Sequence, residues 1–148
     1  MKKLTLFLTL SFLSTSLFAQ ILTPVKWSYA AKKTSKTEAV LLLKATIDNG
    51  WHIYSTQQKE GGPQKTEFTF TPSKEYTLNG ALAEPKPMVK YDNSFKMNVL
   101  SLEKSVIFQQ KIKLKKDQTD IKGKVEFMVC NDKQCLPPDE IAFSIPVR

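Results

Sequence analysis

Cys130 and Cys135 are the only two cysteines among 148 residues, and they enclose Asn131-Asp132-Lys133-Gln134 before running into Leu136-Pro137-Pro138. Two thiols this close in a loop can form and break one disulfide by exchange, and that reaction needs neither a metal nor an organic cofactor. The same pair could equally be a structural staple. Loop length bears on the choice: in the chain-entropy model, closing about six residues contributes roughly 2 kcal/mol, against nearly 5 for a hundred-residue loop. A bond meant to join two sheets would normally link distant strands. Pro137 and Pro138 stiffen the chain after Cys135 and limit its relaxation on reduction, which suits repeated cycling. A reactive cysteine needs access and a stabilised thiolate, whereas one buried in apolar surroundings is inert. Lys133 favours the thiolate and Asp132 opposes it, so staple and redox pair both stay open on these residues alone.

Compartment matters to either reading. Lys2 and Lys3 form a positive start, Leu4 to Phe18 is apolar and hydroxyl-rich, and Ala19 is a small residue before Gln20, the pattern of a secretion signal spanning 1–19. That apolar run is too short for a comfortable membrane span, no later stretch approaches one, and no cysteine after the cut offers a lipid anchor. The expectation is therefore a soluble mature domain, residues 20–148, in the oxidising periplasm. Removing Lys2 and Lys3 takes the net charge from +8 to +6, and cleavage after residue 19 of 148 leaves 129, one domain's length. The lysines are scattered rather than clustered with aromatics, which argues against nucleic acid as a partner. The densest run, Lys111, Lys113, Lys115 and Lys116, alternates like the wet face of a strand.

The elements that must carry the cysteines read as strands, because apolar residues recur at period two and helical periodicity is nearly absent. Val25, Trp27 and Tyr29 alternate with polar neighbours; Leu41, Leu43, Ala45 and Ile47 share one side of the next run; Asn49-Gly50 signals a tight turn before Trp51 to Tyr54. Phe68 and Phe70 alternate with Glu67, Thr69 and Thr71, and Tyr76 to Leu78 and Ala81 to Ala83 flank a second Asn-Gly, predicting a short strand pair. Val106 to Leu114, Val125 to Val129 and Ile141 to Val147 complete about eight strands, so the predicted fold is all-β, an immunoglobulin-like antiparallel β-sandwich. Two irregular regions, Gln57 to Gln64 and Glu84 to Asn98, interrupt the pattern as loops, where function usually sits. Strand parity turns Val125, Phe127 and Val129 one way and Cys130 the other, off the main core face, at a site whose composition permits access.

Other chemistries are narrower. Met88, Met97, Met128 and His52 could converge with the two cysteines as soft ligands for Cu(I), although Met is more often gap-filling packing. His52, the only histidine, could assist thiol chemistry near neutral pH or simply pack. Hydrolytic catalysis is excluded for want of a second histidine, a Gly-x-Ser-x-Gly element or a carboxylate dyad.

Gly50-Trp51-His52-Ile53-Tyr54, Gly62-Pro63, Tyr91-Asp92 with Phe95, and above all Cys130 to Cys135 followed by Leu136-Pro137-Pro138 resemble the periplasmic N-terminal domain of the DsbD family of thiol:disulfide interchange proteins. The resemblance spans nearly all of the mature chain. It implies an immunoglobulin-like fold with Cys130 and Cys135 as a redox-active pair, and Cys135 as the sulfur that forms mixed disulfides. It implies that Phe95, with Tyr91 and Asp92 nearby, sits in a cap loop shielding the bond, and that Tyr54 and His52 line the floor. The partners it implies are a thioredoxin-like protein or membrane electron-transfer protein as donor and oxidised periplasmic proteins as clients, with no cofactor. Because the chain stops at Arg148 directly after its last strand, the donor is expected to act in trans.

Overall fold

A computed structural model of the chain describes residues 22–93 and 95–148; the secretion signal expected at 1–19 lies outside the described residues. Eleven strands follow one another: β1 (Val25–Lys33), β2 (Glu38–Ile47), β3 (His52–Tyr54), β4 (Glu67–Phe70), β5 (Tyr76–Leu78), β6 (Met88–Asp92), β7 (Met97–Glu103), β8 (Ser105–Leu114), β9 (Thr119–Phe127), β10 (Val129–Cys130) and β11 (Asp139–Val147). All named pairings are antiparallel, and they make three sheets, ordered β1-β2-β8-β5, β11-β9-β4 and β10-β3-β7-β6. No helix occurs among the described residues, and none there is long and apolar enough to cross a membrane.

The first two sheets pack face to face because their long strands alternate between core and water. In β8, Val106, Phe108, Gln110, Ile112 and Leu114 point inward while Lys111 and Lys113 are exposed. Leu41, Leu43 and Ala45 of β2 meet Ile121 and Val125 of β9 and Phe143, Ile145 and Val147 of β11 in one core. Each Leu, Ile, Val or Phe side chain fully buried there contributes about 1.5–3 kcal/mol. Trp27 spans the layers, edge-on to Phe68 and Phe127 with ring centroids 5.6 and 5.5 Å away. Gly123, in the central strand β9, leaves room for the Phe143 ring; a Cβ there would meet that ring at 2.5 Å. The result is the all-β, immunoglobulin-like antiparallel sandwich that the alternation predicts.

Several local expectations change. Eleven strands replace about eight, and the region 84–98, expected to be irregular, contains β6 and the start of β7, which pair from Met88↔Ser101 to Asp92↔Met97. The Asn79-Gly80 segment does not close a hairpin: β5 before it and Ala83 after it both pair with β8, and Asn79 N–H donates to the Lys111 carbonyl at 2.9 Å. The inward side chain of Gln110 reinforces this by donating to the Gly80 carbonyl at 3.1 Å, so one long strand dictates the course of both short segments. Asn49-Gly50 is a tight turn, with Trp51 N–H on the Asp48 carbonyl at 3.1 Å and Gly50 at φ 80°, but it carries the chain from one sheet into another.

The third sheet positions the cysteines. β9 and β10 are separated only by Met128, where the chain leaves the second sheet and joins β3. Ile53, Leu102 and Val129 belong to the main core, while Tyr54, Val99 and Cys130 form a second buried cluster with Phe95, Met97 and Met128 against it.

Candidate redox site

The cysteine loop is a small hairpin built by its own backbone. Leu136 N–H donates to the Val129 carbonyl and Asn131 N–H to the Gln134 carbonyl, each at 2.9 Å, which sets Cys130 opposite Cys135 in an antiparallel bridge. The Asn131 side-chain oxygen accepts the N–H groups of Lys133 and Gln134, both at 2.9 Å, so an Asx-type turn shapes the tip. The Cα atoms of the bridged pair are 4.0 Å apart, and their sulfurs are joined. Facing residues of this kind, between rather than within hydrogen-bonded pairs, bring side chains close.

Burial divides the two sulfurs. Cys130 is 2% exposed, within the second cluster, whereas Cys135 is exposed. Parity alone put Cys130 off the main core face, and there it lies, but it is not open to solvent: Tyr54, Val99 and the residues packed on them cover it. Access to the bond is through Cys135.

The floor comes from β3. His52 stands directly across from Cys130 in the β10–β3 register, and Tyr54 follows two residues on, on the same face. His52 Nε2 and the Tyr54 hydroxyl are 3.3 Å apart, with the rings edge to face. Burial lowers the His52 pKa from its ordinary 6.5; Glu103, Asp132 and Asp92 oppose that and Lys90 adds to it. Burial, helped by Asp92, raises the Tyr54 pKa above 10.0. Neutral imidazole beside protonated phenol is the state these shifts favour near pH 7.

The far wall is the β6–β7 hairpin. At its turn, the Asp92 Oδ1 accepts Phe95 N–H at 3.2 Å, and Phe95 packs on the cluster that contains Cys130. Tyr91 is 57% exposed at the rim, as is Met88 at 50%. Lys90 Nζ approaches Asp132 Oδ1 at 4.0 Å across the gap, an exposed pair worth little on its own. Together hairpin, floor and cysteine loop enclose a cleft of about 800 Å³, and Cys130, Cys135, His52, Tyr54, Tyr91, Asp92 and Phe95 all line it. Met97 and Met128 pack at Cys130, but among the described residues no three His, Cys, Asp or Glu side chains converge as metal ligands.

Two polar residues from the irregular regions 57–64 and 84–98, not singled out there individually, brace this wall. Gln58, 6% exposed, offers its Oε1 to Leu100 N–H at 2.7 Å, just past the point where β3 stops pairing with β7. Glu84 accepts from Ser55 Oγ, from Thr56 N–H at 2.9 Å and from Thr56 Oγ1 at 3.0 Å, tying the chain before β6 to the chain after β3. Nothing in their local sequence marks them. Asn131 is different, since Asn opening a short polar loop is a turn signal in its own right.

The sequence matches the family model described as thiol:disulfide interchange protein DsbD, N-terminal, over residues 19–146. Among solved structures, it is similar to the DsbD N-terminal domain of Neisseria meningitidis in the reduced form, with 16% identity and a TM-score of 0.55 over 82% of this chain and 84% of that one. Comparable likeness extends to the DsbD N-terminal domain in the complex with the PilB N-terminal domain from the same organism, at 15% identity and TM-score 0.55, covering 84% and 87% of the two chains. The N-terminal periplasmic domain of ScsB from Proteus mirabilis is 20% identical with TM-score 0.54, and this chain covers 44% of its length with 83% of its own. At such identities the structural likeness speaks to fold alone. Among curated protein sequences there is no significant match. The family model, covering nearly every described residue including both cysteines, carries the assignment: this chain belongs to the family of DsbD N-terminal, thiol:disulfide interchange domains.

Proposed function

We propose that residues 20–148 form a periplasmic thiol–disulfide exchange domain that passes reducing equivalents from a thioredoxin-like or membrane electron-transfer donor, acting in trans, to oxidised periplasmic client proteins. The observation that carries the reading is the exposed Cys135 bonded to a buried Cys130 inside a capped cleft. A Neisseria relative described in a complex with a second protein domain supports recognition of a protein partner.

A donor thiolate attacks the Cys135 sulfur. The Cys130–Cys135 bond breaks, its electron pair leaves on Cys130, and a mixed disulfide links donor to Cys135. The donor's second thiol, as thiolate, displaces Cys135, so the donor leaves oxidised and both cysteines here are reduced. Toward a client the steps run in the opposite sense, with Cys135 attacking and Cys130 resolving. No metal or organic cofactor enters any step. Phe95 over Cys130 supplies selectivity between the two sulfurs: attack falls on the exposed Cys135, while a docking protein can displace the hairpin.

The test is covalent trapping. Cys130→Ser, carrying Cys135 as a mixed disulfide with nitrobenzoate thiol and mixed with a reduced thioredoxin-like protein whose resolving cysteine is replaced by serine, should release the nitrobenzoate and accumulate as a complex linked through Cys135, and Cys135→Ser should not. If Cys130→Ser reacts no faster with proteins than with a small-molecule disulfide, the transfer role fails.

A further inference from the structure

The chemistry of Cys130 raises a problem that the exchange scheme leaves open. To resolve a mixed disulfide at Cys135, Cys130 must lose its thiol proton, yet it is 2% exposed in a cluster with Tyr54 and Val99. Bulk water has almost no contact with a sulfur so placed, and apolar burial by itself favours the thiol over the thiolate.

One titratable group is positioned to help. His52 is the cross-strand neighbour of Cys130, and directly opposed residues of an antiparallel pair present their side chains on the same face, with Cβ atoms about 4.5–5.5 Å apart. Both residues line the cleft with Cys135, and His52 Nε2 is tied to the Tyr54 hydroxyl at 3.3 Å. The surrounding charges come from every neighbouring element: Glu103 on β7, Lys90 and Asp92 on β6, and Asp132 on the cysteine loop, with Lys133 beside it on the cleft lining. Burial outweighs the acids and favours the neutral imidazole near pH 7; in the tautomer whose Nε2–H donates to the Tyr54 oxygen, the Nδ1 lone pair is free to accept a proton.

We infer that His52, held by Tyr54, is the acid–base residue of this site, taking the Cys130 proton as Cys130 closes on Cys135 and returning it when the bond opens. The inference rests on the exchange reading above. In the closing direction the Cys130 S–H proton passes to the imidazole, the Cys130 sulfur forms a bond to Cys135, and the bond from Cys135 to the departing sulfur breaks. That sulfur leaves with the electron pair and takes a proton from water, and the imidazolium returns its proton to water. Over the two exchange steps two electrons pass from the cysteine pair to the disulfide that Cys135 first attacked, so no further oxidant is involved.

The experiment uses the reduced protein and one equivalent of dithiobis(nitrobenzoate), a chromogenic small disulfide. The first coloured thiolate is released when Cys135 attacks, and the second when Cys130 closes the ring, so one trace gives both rates without any protein partner. In His52→Gln the ratio of second to first rate should fall at least about tenfold at pH 7, the low end of what a positioned base supplies. The wild-type closing rate should also show an inflection below pH 6.5 that His52→Gln lacks. An unchanged ratio and an unchanged pH profile overturn the assignment, as does equal slowing of both phases. A second measurement needs no His52 variant: in the dithiol form, the His52 ring resonances should titrate in two coupled steps that merge into one in Cys130→Ser. Identical curves in the two proteins also overturn it. Failure of the exchange reading is distinct, since it would appear as absent trapping by proteins while ring closure with the small disulfide stays normal.

Discussion

Cys130 and Cys135 face each other across one antiparallel bridge, and the backbone bonds on either side, Val129 to Leu136 and Asn131 to Gln134, exist independently of their sulfurs. The disulfide therefore closes a ring whose ends the hairpin already holds together. Opening it leaves the thiols in place and ready to close again, which is what a cycling pair requires and a staple does not.

Stability follows from the same relationship. Replacing both cysteines by serine should lower unfolding free energy by no more than about 2 kcal/mol, the chain-entropy figure for a ring of about six residues, and the fold should persist. Urea denaturation of oxidised protein and double variant would measure this. A much larger loss, or an unfolded double variant, would make the bond a structural staple.

Phe95 is held over Cys130 by its N–H bond to the Asp92 carboxylate and by contact with the buried cluster. Phe95→Ala, made in Cys135→Ser so that Cys130 is the one thiol, should speed alkylation of Cys130 by iodoacetamide about tenfold, the factor expected if the closed cap opposes access by about 1.4 kcal/mol. Alkylation rates of the proteins with and without Phe95 decide the matter, and equal rates would mean that the ring shields nothing.

Gly123 provides a contrast remote from the cleft. A Cβ there would press on the Thr69 carbonyl and on the Phe143 ring, between strands that cannot separate without opening the core. Gly123→Ala should destabilise the domain by about 3 kcal/mol, the upper end for overpacking. Its dithiol chemistry, measured below the melting transition, should match the parent's. A neutral result in thermal melting would show that β4 and β11 yield more readily than their packing indicates.

His52 also predicts a pH dependence of stability. Because burial holds its native pKa below 6.5, the unfolded chain binds a proton first as pH falls. Stability should therefore decline from about pH 6.5 downward and level off once the native imidazole is itself protonated. His52→Gln should remove that part of the decline, leaving the carboxylate-driven loss at lower pH. Chemical denaturation from pH 8 to pH 5 tests the sign, and a wild-type stability that rises as pH falls through this window would contradict it.

Strands such as β2, β8 and β11 were legible because alternation is local: each residue's facing is set by its neighbours' parity, and the core face is apolar at nearly every second position, the inward Gln110 in the middle of β8 excepted. The cysteine pair was equally legible, being contained within six consecutive residues. β6 was not. All but the last of its residues are exposed, so no apolar alternation marks it, and it is a strand only because β7 supplies its hydrogen bonds along one edge. The Asn79-Gly80 segment misled for the related reason that β8 outcompeted the local hairpin.

What the amino-acid order determined by itself was a sandwich with a short dithiol ring after its penultimate long strand, because spacing and alternation act over a few residues. Tertiary structure alone decided which sulfur is open. Cys130 is covered by Tyr54 from β3, Val99 from β7 and Phe95 from the turn before it, residues 31 to 76 positions away in the chain whose meeting depends on how the third sheet is assembled. Solvent exposure is a sum over everything that packs nearby, and no stretch of sequence contains that sum.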